Sequence, residues 1–310
     1  MKTFAAWAGA AALVLGAGPG APCMANDMTA VSRAGMAVSA QHDASEVGAR
    51  ILREGGNAVD AAVAMGWALA VTHPCCGNVG GGGFMMIHLP GKPDAFIDFR
   101  EKAPLGASAD MYLGPDGKPV AKASLDGWLA VGTPGSVLGL EEARRRYGTM
   151  SRHKLMTPAI ALARHGFVLQ QGDVDVLADG TAAFAAQPNV AAIFLKDGRP
   201  FRSGEMLVQA DLARTLDQIA AEGPAGFYRG RIPHAVEAAS KAGGGVIKAA
   251  DFAAYTVGGG APVRCQYRGY EIVSAPPPSS GGVTLCEMLE ILQSYPLGQY
   301  GYHSAKSVHV

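Results

Sequence analysis

The segment Asp98-Phe99-Arg100-Glu101-Lys102-Ala103-Pro104 carries the clearest chemistry in this sequence. It closes an apolar run that starts at Ala95, where a strand is due to leave the core. An arginine at a strand exit, flanked by Asp98 and Glu101, can be held rigid by carboxylates while its planar fork faces outward. Such a fork suits a substrate carboxylate in bidentate fashion, which makes Arg100 the candidate substrate-binding residue. The alternative is that Arg100 pairs internally with Glu101 or Asp98, as most charged clusters do.

A second segment, Gly77-Asn78-Val79-Gly80-Gly81-Gly82-Gly83, invites comparison with a phosphate loop, and the order of elements rejects it. In a phosphate loop the glycines follow a strand, open a helix and end in Lys-Ser/Thr. Here they follow a helical stretch and open a strand-like one, and the next lysine is Lys92. Close layer packing or a backbone oxyanion site is the better account of these glycines. The sequence has no Gly-x-Ser-x-Gly elbow and no His-Glu-x-x-His, and its eight histidines show no metal-ligand spacing. His42-Asp43 and Thr72-His73 resemble acid/base or nucleophile pairs, but their places at a helix start and before Pro74 point to capping or core roles. No cofactor and no metal are expected.

The elements that must position Arg100 can be read from periodicity. A short strand-like run, 37–40, leads into helical spacing of Ala44, Val47, Ile51 and Leu52, which Gly55-Gly56 stop. Asn57 with Asp60 three residues on makes a capping box for an Ala-rich helix that is apolar on nearly all sides and so is buried. Pro74 ends it. The run 84–89, turn chemistry at 90–94 and the run 95–100 predict a hairpin. Helical spacing recurs over 136–147, 155–165, 210–221 and 232–242, and a second hairpin is due around Arg268-Gly269. A last full helix is predicted at 283–293, and 304–310 reads as the opening of another.

Bulk properties narrow the classes. The 310 residues are 49% apolar and 17% charged, enough to bury a sizeable core. Lys plus Arg and Asp plus Glu are equal at 26 each, so no single-signed field would gather nucleic acid or an anionic membrane. The first residues, with Lys2, an apolar stretch from Phe4 to Gly18, and Cys23-Met24-Ala25, have the layout of a signal peptide cleaved after Ala25, too short to span a membrane stably. Lipidation of Cys23 is disfavoured by Pro22. Residues 26–310 then hold Cys75, Cys76, Cys265 and Cys286. They read as buried small hydrophobes: the vicinal pair does not easily bridge to itself, although an oxidising compartment permits Cys265 to join Cys286 or Cys75.

From about Gly35 onward the motifs resemble the γ-glutamyltransferase family in order and spacing. They are Gly35-Met36-Ala37-Val38-Ser39, the run from Gly55 to Ala64, Asn78 to Phe84, Asp98 to Pro104, Val131 to Gly135, Pro158 to Phe167, and Pro276-Pro277-Pro278-Ser279-Ser280-Gly281-Gly282. The resemblance implies an α+β Ntn-hydrolase fold, an αββα four-layer sandwich that is incomplete in this chain. It implies a precursor that cuts itself into large and small subunits and exposes a threonine that attacks the γ-glutamyl amide of glutathione and related γ-glutamyl compounds. The acyl group would pass to water or to an amino acid or peptide acceptor. Arg100 stands where the family grips the α-carboxylate. The Thr-Thr-His processing motif and the small subunit are expected beyond Val310, so residues 26–310 would be a large-subunit portion, inactive and poorly soluble alone. A secreted, periplasmic or extracellular location follows from the leader. Two rivals remain: a related self-processing acylase of carboxylated acyl amides, and an inactive truncated paralogue.

Overall fold

The computed structural model describes residues 31–310, and the expected leader, 1–25, lies outside the described residues. From Met36 onward the chain forms one compact unit of helices and small antiparallel sheets, an α+β arrangement.

Helix α1 (His42–Arg53) buries Ala44, Val47 and Ile51 on one face against α2 (Ala58–Thr72). The box at the start of α2 is present: the Asn57 side chain accepts from Asp60 N (2.9 Å) and Asp60 Oδ2 accepts from Asn57 N (3.0 Å). Trp67, Val63, Ala64 and Val71 make α2 the centre of the core, as its all-round apolarity requires. Strands β1 (Phe84–Ile87) and β2 (Ala95–Asp98) pair as the expected hairpin, with Phe84 opposite Asp98 and Ile87 opposite Ala95. A short β5 (Gly258–Gly259) adds to the free edge of β2 from far along the chain.

Helices α3 (Ser136–Tyr147) and α4 (Arg152–His165) pack on α2. The start of α4 lies three residues before the expected Leu155, because Ser151 caps it by accepting from Lys154 N (3.3 Å). A two-stranded ribbon, β3 (Phe167–Val168) with β4 (Met206–Leu207), encloses α5 (Gln171–Asp179), α6 (Thr181–Ala185) and α7 (Pro188–Phe194). Then follow α8 (Ala210–Glu222), which lies on α4, and α9 (Ala225–Tyr228), α10 (Arg231–Ala242) and α11 (Ala249–Ala254). Phe227, Tyr228, Phe252 and Tyr255 cluster there. The second hairpin, β6 (Val263–Tyr267) and β7 (Tyr270–Ser274), turns at Arg268-Gly269 and carries α12 (Gly281–Gln293), with α13 (Leu297–Tyr300) and α14 (Ala305–His309) after it.

Two expectations are corrected. The run 37–40 is not a strand; hydroxyl turns hold it instead, with Ser39 N donating to Ser45 Oγ (2.9 Å) and Ser39 Oγ to the Gln41 carbonyl (2.7 Å). The reading of the cysteines as buried small hydrophobes holds for burial at Cys286 and fails at Cys75 and Cys76, and the bridge between Cys265 and Cys286 is one that the sequence left open. Cys265 and Cys286 are joined, tying β6 to α12, and Cys75 and Cys76 are exposed and joined to each other in the turn that follows α2. That turn, rather than a helix or strand, lets neighbouring sulfurs meet.

Candidate functional site

Arg100 leaves the end of β2 with its side chain exposed, and its guanidinium makes no ion pair among the described residues. The internal pairing with Asp98 or Glu101 is therefore not adopted. The expectation that carboxylates hold the side chain is also corrected: Asp98 holds the backbone, its Oδ1 accepting from Arg100 N (3.0 Å).

The peptides around Arg100 are fixed one after another. Phe99 N donates to the Gly83 carbonyl (2.9 Å) and Gly83 N donates back to the Phe99 carbonyl (3.3 Å). The carbonyl of Arg100 itself accepts from the Tyr255 hydroxyl (2.8 Å). Lys102 and Thr133 exchange two backbone hydrogen bonds (3.2 and 2.7 Å), and Lys102 Nζ reaches the Thr256 carbonyl (2.7 Å) and hydroxyl (3.0 Å). Beyond Pro104, Leu105 N donates to the buried Asp251 (2.6 Å). The backbone that carries Arg100 is thus constrained from both sides, while the exposed side chain keeps its rotamer freedom.

Tyr255 is suited to its place. Burial pushes its phenol up, the nearby Asp98 and Glu101 carboxylates push it the same way, and it stays a protonated donor. Its ring stacks on Tyr228 at 5.8 Å, and the Tyr228 hydroxyl donates to the Pro134 carbonyl (2.9 Å). The stretch Val131 to Gly135 is thereby drawn against the Arg100 segment.

The glycine run is structural, as the order of elements implied. A Cβ at Gly82 would stand 2.5 Å from the Phe99 carbonyl oxygen and 2.8 Å from Glu101 N, so only glycine lets the two backbones touch. The carbonyl of Gly81 accepts from Gly135 N (2.8 Å) and Ser136 N (3.0 Å), binding the run to the start of α3. An apolar groove of about 550 Å³ lies between Met36–Ala40, α2 and 77–85; Phe99 lines it and Arg100 does not.

Among the tempting pairs, Thr72 is buried with its hydroxyl donating back to the Ala68 carbonyl (3.1 Å), and His73 is the C-cap of α2. At α1 the cap is Gln41, and His42 lies beside Asp43 (3.3 Å). Sequence spacing missed one grouping: the ligand atoms of His73, Cys75 and Cys76 lie within 4.8 Å of one another. It also missed Tyr255, which nothing near Arg100 in the sequence could announce.

The fold is that of the Ntn-hydrolase γ-glutamyltranspeptidase class. Residues 44–310 match the gamma-glutamyltranspeptidase family, and the chain belongs to it. It is 56% identical over 276 residues to the glutathione hydrolase proenzyme of Pseudomonas sp. (strain A14), covering 89% of this chain and 48% of that protein. It is 40% identical over 282 residues to the acylase ACY 1 proenzyme of Pseudomonas sp. (strain V22), covering 89% of this chain and 50% of that one. The gamma-glutamyltranspeptidase of Helicobacter pylori superposes with a TM-score of 0.87 at 42% identity, over 91% of this chain and 81% of that chain. The chain spans about half the length of the curated relatives it matches. Among the described residues no helix is long and apolar enough to cross a membrane.

Proposed function

We propose that the protein cleaves the γ-glutamyl amide of glutathione and related compounds, and that Arg100 binds the α-carboxylate of the γ-glutamyl group. The observation that carries this reading is an exposed, unpaired guanidinium on a backbone held from both sides, in the motif Asp98 to Pro104. Two parallel N–H donors on a carboxylate fix the glutamyl group in position and direction. On the family resemblance, a threonine hydroxyl supplied by the small subunit of the same precursor attacks the γ-carbonyl. The amine leaves with a proton, and the resulting ester passes to water or to an amino acid or peptide amine. In this reading residues 26–310 belong to the large subunit and are inactive alone, and the leader sends the precursor to the periplasm or the extracellular space.

The test is release from a chromogenic γ-glutamyl amide by the protein expressed from its whole gene. Arg100→Ala removes two charge-assisted hydrogen bonds, together worth about 3 kcal/mol, and lowers kcat/KM about a hundredfold, chiefly through KM. Unchanged kcat/KM would exclude Arg100 from the site. The 40% identity to an acylase proenzyme favours one second reading, an acylase of carboxylated acyl amides. A glutaryl amide keeps the carboxylate and lacks the α-amino group, so faster turnover of glutaryl than of γ-glutamyl amide would select it.

A further inference from the structure

The turn between α2 and β1 holds a cluster that the γ-glutamyl reading does not use. His73 Nε2 stands 3.4 Å from Cys75 Sγ, and with Cys76 Sγ the three ligand atoms lie within 4.8 Å of one another. The turn is set by its backbone: Cys76 N and Gly77 N both donate to the His73 carbonyl (3.2 Å each), and the Asn78 side chain donates to the Pro74 carbonyl (3.3 Å). His73 is itself anchored as the last cap of α2, its N–H donating to the Leu69 carbonyl (2.8 Å). Both cysteines are exposed, so a solute reaches them directly.

We propose that His73, Cys75 and Cys76, once the cysteines are reduced, bind a thiophilic divalent cation of the zinc type, with water as the fourth ligand. Zinc takes thiolate sulfur at about 2.3 Å and imidazole nitrogen at about 2.0–2.1 Å, which puts neighbouring S and N ligands about 3.5 Å apart in a tetrahedron. The His73 to Cys75 edge already has that length. The Cys75 and Cys76 sulfurs, joined in the structure, have to part, and Cys76 Sγ, within 4.8 Å of the His73 ring nitrogen, has to settle at the same edge length from it. Two molecules of a small thiol do this: they leave as their own disulfide, and each cysteine sulfur gains a proton. The cation then displaces one proton from each thiol. Two thiolates and an imidazole select a soft, tetrahedral ion over calcium or magnesium. The site is thus open to metal in the reduced protein and closed in the oxidised one.

Cobalt(II) titration tests this on the full-length protein, reduced with a phosphine and freed of it without air. One equivalent of cobalt is expected to raise sulfur-to-cobalt charge-transfer and tetrahedral d–d bands, and zinc to abolish them. The unreduced protein gives no bands. The Cys75→Ser/Cys76→Ser variant loses them while keeping Cys265 and Cys286, and His73→Ala shifts the titration to higher cobalt. Four results would overturn the proposal: no bands in reduced protein of native circular dichroism, bands surviving in the double serine variant, one cobalt per two chains, or an unmoved titration in His73→Ala.

Discussion

Asp60 is fully buried, and its carboxylate is the point where three helices are joined. It accepts from Asn57 N (3.0 Å), Thr149 N (2.9 and 3.1 Å), Thr149 Oγ1 (2.6 Å) and Met150 N (3.1 Å), so the start of α2 is tied to the link between α3 and α4. Burial works to raise this carboxyl, and the Thr149, Asn57 and Met150 donors outweigh it and hold it below the usual range. Asp60→Ala leaves four donors without their acceptor, on the half-buried Asn57 and Met150 and on the exposed Thr149. A fully buried unsatisfied group costs about 1–3 kcal/mol, and water can reach the Thr149 donors in part, so the loss is about 2–4 kcal/mol. Asp60→Asn behaves differently. If its amide nitrogen takes the place of Oδ2, the Thr149 hydroxyl can turn round and accept and Thr149 N–H keeps its bond to the other oxygen, but the amide nitrogen then faces the Asn57 N–H and lies beside the Thr149 N–H. That costs about 1–3 kcal/mol. Denaturant unfolding at neutral pH, compared at unchanged slope, measures both. Equal losses for the two variants, or a loss below about 1 kcal/mol for Asp60→Ala, would refute the assignment of Asp60 as an indispensable acceptor.

Three further outcomes are expected. Tyr255→Phe removes the donor to the Arg100 carbonyl and lowers kcat/KM on a γ-glutamyl amide about fivefold, through KM rather than kcat, as loss of one neutral hydrogen bond of about 1 kcal/mol implies. Gly82→Ala forces a Cβ onto the backbone of Phe99 and Glu101 and costs about 1–3 kcal/mol of stability, whereas Gly80→Ala, which would meet only Asn78 Oδ1 at 3.2 Å, is tolerated in the same unfolding assay. For Glu141, burial acts to raise the carboxyl, but the Arg144 and Arg152 guanidiniums, both hydrogen-bonded to it, lower it to about 2. Its folded value is depressed, so its contribution, on the order of 3 kcal/mol, is complete above the unfolded value and is lost as pH falls from about 5 to about 2. Glu141→Gln should flatten that part of the stability profile.

What could be read from the sequence was local in the chain. Asn57 and Asp60 are three residues apart, and that spacing is itself the capping box; the turn 90–94 lies between the two runs it pairs. Where pairing is made by tertiary contact, the sequence was silent. Asp60 looked like a helix cap and nothing more, because Thr149 and Met150 lie some ninety positions away. The strand-like run 37–40 has the right residue types for a strand but no partner among the described residues, and a strand exists only as one of a pair. At Cys75 and Cys76 the reading fails for a related reason: residue type suggests burial, and the turn after Pro74 exposes them.

Arg100 shows most clearly why residue type and position outrun contact. The motif Asp98 to Pro104 suggested that carboxylates grip the guanidinium, yet a gripped fork is one already occupied. In the fold Asp98 spends its oxygen on the Arg100 amide, Tyr255 takes the Arg100 carbonyl, and the exchange between Lys102 and Thr133 fixes the segment beyond. The root of the side chain is thereby fixed through its backbone while its donors stay available. This division of labour explains two features of the sequence at once. Asp98 orients the segment through the Arg100 amide without competing for the fork, and Gly82 has no side chain, because the backbone that carries the arginine is braced from directly behind it. It also locates the fragile points: they are Gly82, Tyr255 and Thr133, none of which needs to touch a substrate, and all of which bear on where Arg100 stands.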